Sequence, residues 1–183
     1  MNVLMSVLLG VGMAFSSLTA GMDTTSMSSA TMAAFGQGGG ADVETEFVQY
    51  VEEDLVAIQQ EEQVAIDTFN QLVSDPNVQA GTLVSTMESE VLPRYEKVVN
   101  GLKLIEPEAE ELKNIHQTYV SASEKQFEAL TKVYQAVNNQ EEALLDESDA
   151  LFMEAETMLL EYETKLQTLA SEYGMEYTSP YVQ

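Results

Sequence analysis

Residues 106–140 read EPEAEELKNIHQTYVSASEKQFEALTKVYQAVNNQ, and residues 141–174 continue EEALLDESDALFMEAETMLLEYETKLQTLASEYG. Apolar residues in the first stretch fall at Leu112, Ile115, Tyr119, Ala122, Phe127, Leu130, Val133, Tyr134 and Val137. In the second they fall at Leu144, Leu145, Leu151, Phe152, Ala155, Met158, Leu159, Tyr162, Leu166, Leu169 and Tyr173. Steps of three and four place such residues on one face of a helix. The spacing predicts a helical hairpin from Pro107 to Gly174, jointed at Asn138-Asn139.

The ends of both arms carry matching signals. Pro107 suits a first helical turn, and Glu108, Glu110 and Glu111 follow where the positive end of the helix dipole favours acids. Asn139 with Glu142 three residues on has the form of a capping box. Gly174 stands where a left-handed residue would close the second helix. At about 1.5 Å per residue each arm would measure roughly 50 Å. Two arms alone cannot cover so broad an apolar stripe, so partner helices are expected from the rest of the chain.

Upstream, Val43, Phe47, Val51, Leu55, Ile58, Ala65, Ile66, Phe69 and Leu72 step mostly by three, four or seven, which predicts a first helix from an N-cap at Asp42 to about Val73. Glu52, Glu53, Glu61 and Glu62 are assigned to its solvent face. A second helical run follows between Pro76 and Ile105. Pro93 lacks a backbone donor there and should bend or split the helix near Ser89 to Leu92.

The N-terminus has a different character. Residues 1–20, MNVLMSVLLGVGMAFSSLTA, form a charge-free apolar segment. Its length and the small residues Ser16, Ser17 and Ala20 fit a secretory signal peptide, although no Lys or Arg precedes it. A membrane anchor is the rival reading, and an arm that packs against other copies, or against the core, is a third. Residues 21–41 are rich in Ser, Thr and Gly and read as a flexible linker ending in Gly38-Gly39-Gly40. The domain layout is thus an apolar segment 1–20, a linker 21–41, an acidic helical domain 42–174 and a loose tail 175–183.

Charge excludes whole classes of partner. The chain has 31 Asp+Glu against 7 Lys+Arg, a formal net charge of −24. Such a surface repels nucleic-acid phosphate and anionic lipid headgroups. There is no Cys, so disulfides, thiolate metal sites and a cysteine nucleophile are ruled out.

No catalytic, cofactor-binding or metal-ligating residue is nominated, and no cofactor is expected. His116 is the only histidine and is expected at the surface or the edge of the core. A di-iron bundle would need Glu-x-x-His on two helices, but Lys113 occupies the place three before His116. A haem ligated by His116 and Met87 or Met153 is conceivable only by coincidence of spacing. The acidic clusters 52–54, 61–62, 108–111 and 146–149 lack the turn glycine of an EF-hand and read as solvated faces. Tyr50, Tyr95, Tyr119, Tyr134, Tyr162 and Tyr173 lie on or beside the apolar stripes. They are expected to be buried with the hydroxyl at the rim, or to form an exposed interaction surface.

These readings converge on an all-α protein. The expected fold is an antiparallel, up-down-up-down four-helix bundle with a kinked second helix, preceded by the apolar segment and linker. The expected role is a non-enzymatic module of the cell envelope, secreted or membrane-anchored, that works through a protein partner or as a structural spacer. The alternatives are a homo-oligomeric or filamentous assembly held by residues 1–20, and a small-molecule or metal-binding bundle.

Overall fold

The computed structural model describes residues 40–177, so the expectations for residues 1–20, for most of the linker and for residues 178–183 lie outside the described residues. Among the described residues every regular element is helical and there is no strand. The described residues fall into four helical arms. The first consists of α1 (Gly40–Gln49), a π-helical turn (Tyr50–Asp54) and α2 (Val56–Ser74). The second consists of α3 (Ala80–Thr86), a π-helical turn (Met87–Val91) and α4 (Leu92–Leu102). The third and fourth are α5 (Glu110–Asn139) and α6 (Ala143–Glu172), each 30 residues long.

The two π turns answer to local sequence. In the first arm the buried residues step by five, from Tyr50 to Leu55, and Leu55 N–H reaches back to the Tyr50 carbonyl at 3.1 Å. In the second arm Leu83, Met87, Val91 and Tyr95 are all buried at steps of four. Three such steps exceed three ideal turns by about one residue, and the π turn absorbs the excess. It ends two residues before Pro93, whose ring would crowd a regular α-helical carbonyl four residues back.

Arm ends are closed in three ways, two of them unlike the sequence expectation. Pro107 is buried ahead of α5 rather than in its first turn. The Glu46 carboxylate of α1 accepts the Ala109 N–H at 2.8 Å and also the Glu108 N–H, so the start of α5 is capped from another arm. The capping box at Asn139 does not form. Asn139 is still helical, Gln140 closes α5 in the left-handed conformation at φ 61°, and α6 begins after Glu142 with no side-chain cap. Glu141 N–H then meets the Ala136 carbonyl at 2.9 Å. Gly174 behaves as expected, with φ 70°, and Met175 N–H closes on the Ala170 carbonyl at 2.8 Å.

Packing follows the sequence stripes. Small residues at seven-residue spacing (Ala122, Ala129 and Ala136 on α5, Ser148 and Ala155 on α6) are fully buried and let these arms approach closely. Ser148 Oγ donates to the Ala129 carbonyl across that seam at 3.1 Å. Gly101 serves the same purpose between α4 and α2, because a Cβ there would lie 3.1 Å from Ile58 Cγ1. The first arm meets α6 and the segment that follows it through aromatic pairs, Phe69 with Phe152 of α6 at 6.2 Å and Phe47 with Tyr177 beyond its end at 5.8 Å between ring centroids. Tyr177, at the start of the expected loose tail, is fastened by that contact.

The core falls into two apolar clusters. One gathers around Phe69, Leu83, Met87, Leu130 and Phe152, the other around Leu55, Leu102, Leu112, Tyr119 and Leu166. Polar side chains lie between and beside them.

Candidate functional site

The polar side chains that converge in the core are Glu62 on α2, Tyr95 on α4, and Tyr119 and Gln126 on α5. Each comes from a position in the apolar stripe of its helix. Glu62 is seven residues from both Leu55 and Phe69, and Gln126 is seven from both Tyr119 and Val133, so helical geometry carries both into the core. Glu62 is only 4% exposed. That corrects its assignment to the solvent face.

The Glu62 carboxylate accepts two phenolic hydrogen bonds, from Tyr119 at 2.6 Å and from Tyr95 at 2.9 Å. Tyr95 also faces the Gln126 amide oxygen at close range. One phenol proton cannot serve two acceptors. Turning the Gln126 amide presents its NH₂ to the Tyr95 oxygen and leaves the Tyr95 proton for Glu62 alone.

A second set of groups begins one helical turn away. His116, on α5, is 4% exposed, not at the surface or core edge as its sequence context suggested. Its Nε2 lies 2.9 Å from the Leu102 carbonyl, at the end of α4, and its Nδ1 lies 2.9 Å from the Tyr50 hydroxyl. A carbonyl only accepts, so Nε2 carries the ring proton and Nδ1 accepts from Tyr50. The Tyr50 oxygen is then free to accept from Tyr162, whose hydroxyl is 3.3 Å away. The chain of donors therefore runs from Tyr162 to Tyr50 to His116 and ends on the Leu102 carbonyl. The Tyr119 and Tyr162 rings stack at 4.7 Å and 23°, joining the two sets.

No family model, curated protein or solved structure matches this chain.

The electrostatics follow from burial. Burial lowers the His116 pKa below the ordinary histidine value, against the opposing pull of the Leu102 hydrogen bond and the Asp54 charge. Burial likewise raises Tyr50, Tyr162 and Tyr177 above the usual phenol value, with the Glu163 charge adding to each. All of these groups are held neutral at pH 7.

Neither ring nitrogen of His116 is open to a metal or haem, since each already has a partner. Met87, one candidate axial ligand, belongs to the other apolar cluster, and Met153 is 67% exposed. Among the described residues no group of three or more His, Asp and Glu is placed to hold a metal ion. Tyr50, Tyr95, Tyr119 and Tyr162 are all buried, so they form no exposed surface, and their hydroxyls converge inside rather than at the rim. A surface groove of about 580 Å³ opens where α2 meets α3, lined by Thr68, Asp75, Asn77, Thr82 and Glu90 among others, and no residue of the buried network lines it.

Proposed function

We propose that the four arms pack as an up-down-up-down bundle, the second arm bent at its π turn beside Pro93. In this reading the bundle is a non-enzymatic module acting through a protein partner or as a spacer. The packing rests on contact order: α5 pairs with α6 through Lys125–Glu154 and Lys132–Glu147, where one number falls as the other rises. The same order relates Glu61 and Ile58 of α2 to Arg94 and Gly101 of α4.

The observation that carries the functional reading is the enclosure of the reactive side chains. His116, Glu62 and the four tyrosines bond to one another in the interior, 0–4% exposed. General acid–base work needs a group within hydrogen-bond reach of a substrate proton, and these groups are spent on each other. A buried polar layer between apolar clusters instead suits a register device: its bonds are satisfied in one alignment of the arms and broken in the others.

The extracytoplasmic setting, with residues 1–20 as signal or anchor, is part of the same proposal. No described helix is long and apolar enough to cross a membrane. Purified full-length protein, assayed against hydrolase, transferase and oxidoreductase substrates with and without divalent metals, is expected to show no turnover. Turnover removed by His116→Phe or Glu62→Gln would overturn the reading.

A further inference from the structure

The outer face of α6 departs from the rest of this acidic surface. On the side of the helix opposite its core stripe lie Ala150, Met153, Thr157, Leu160, Thr164 and Thr168, spaced by three or four and all exposed. Met153 is 67% and Leu160 57% exposed. The threonines add to the apolar character. Thr157, Thr164 and Thr168 donate their hydroxyls to the carbonyls four residues back, at 2.9, 2.7 and 2.7 Å, so their polar atoms are turned onto the helix. The result is an uncharged strip about 30 Å long, at about 1.5 Å per residue, on a chain of net charge −24.

The edges of the strip bear charge of one predominant sign. Glu154, Glu161 and Glu172 follow one edge and Glu156 the other. Lys125 and Lys165 pair with Glu154 and Glu161, while Glu156 and Glu172 enter none of the ion pairs of the described residues. A second copy docked on this face would oppose glutamate edges to glutamate edges. Residues 1–39 contain no Lys or Arg, and so offer nothing to those edges.

We propose that the outer face of α6 is a docking surface for a cationic amphipathic helix, whose apolar side covers the strip and whose flanking Lys or Arg meet the glutamates. The proposal rests on the partner-binding reading above and gives it a location.

The test uses the full chain and a labelled helical peptide with Leu and Ala at three- and four-residue spacing, flanked by Lys. A scrambled peptide of the same composition is the control. The amphipathic peptide should bind at least about tenfold more tightly than the scrambled one. The double variant Met153→Glu, Leu160→Glu should weaken binding about tenfold or more, although it adds two negative charges that would strengthen attraction by charge alone. Gln117→Glu, Gln135→Glu, which adds two acids on exposed α5 positions, should leave binding unchanged or tighter. Circular dichroism and melting confirm the fold of each variant.

Equal binding of the two peptides, no binding of either, or full binding by the Met153/Leu160 variant would overturn the docking surface. Self-association abolished by that variant would overturn the cationic partner in favour of a second copy. None of these results bears on turnover, so the docking surface can fail while the non-enzymatic reading stands.

Discussion

Protonating His116 would place a second N–H at Nδ1, where the Tyr50 hydroxyl now donates. Tyr50 would have to turn and accept, and the Tyr162 bond behind it would reverse as well. Together with burial, this cost holds the ring neutral. A folded-state pKa below the unfolded value gives stability that is present above about pH 6.5 and lost as pH falls through the folded value. His116→Phe, which keeps the ring shape and drops both hydrogen bonds, should cost about 1–3 kcal/mol at pH 7.5. The gap between wild type and variant should narrow as pH falls toward 5, measured by urea unfolding. A gap independent of pH would mean that the ring is not held neutral by the fold. At the alkaline end, Tyr50, Tyr162 and Tyr177 should stay protonated beyond the ordinary phenol range. Absorbance near 295 nm should then rise in two steps, the later one coinciding with unfolding. Sequence pattern places Tyr50 and Tyr162 on the apolar stripes but does not show what their hydroxyls meet, and it leaves Tyr177 in the tail. Glu62 stands at heptad distance from Leu55 and Phe69, but its charge argues for the solvent face, because carboxylates rarely occupy the interior unpaired.

The long hairpin was legible because thirty residues of three-and-four spacing leave little room for another structure, and α5 and α6 follow that spacing throughout. The π turns were not. A single extra residue rotates the pattern by about 100° within one turn, and a stripe that tolerates steps of three, four or seven absorbs it unnoticed. In the first arm this exchanged Val51 for Tyr50 as the inward residue. The joint between α5 and α6 was misplaced for a related reason. Asn139 and Glu142 have the right chemistry for a cap, but α5 runs through Asn139 and closes on Gln140 at positive φ. That conformation strains a side chain with a Cβ. Gln140→Gly should therefore stabilise the protein by about 1 kcal/mol. An unchanged or lowered unfolding midpoint would show that the Gln140 side chain compensates for its backbone.

The whole molecule carries its charge unevenly. All seven Lys and Arg lie between Arg94 and Lys165, so the first arm and its joint to the second contain acids alone. Arg94, Lys103, Lys125, Lys132 and Lys165 each join an ion pair, and the excess of carboxylates remains. Like charges at such density oppose the compact state, and salt screens them over a Debye length of about 10 Å at 0.1 M. The melting temperature should rise as salt increases from about 10 to about 300 mM. A flat response would mean that the acids stand far enough apart not to repel. Sequence alone suffices for this expectation, because net charge is a property of composition. It does not show that the charge-free face of α6 is the exposed one, since that depends on which way the helix turns its back to the core.

The first π turn also makes the chain sensitive to its own length. Deleting one residue there, Glu53 for instance, would restore a continuous α-helix while leaving the composition of the arm almost untouched. Everything before the deletion would swing about 100° around the helix axis. Phe47 would leave Tyr177, Tyr50 would leave His116, and Glu46 would leave the start of α5. Three separate ties between distant parts of the chain depend on a single spacer residue whose identity matters far less than its presence. Substitutions at Glu52 or Glu53 should pass almost unnoticed, whereas a one-codon loss in the same place would unseat α1 as a whole.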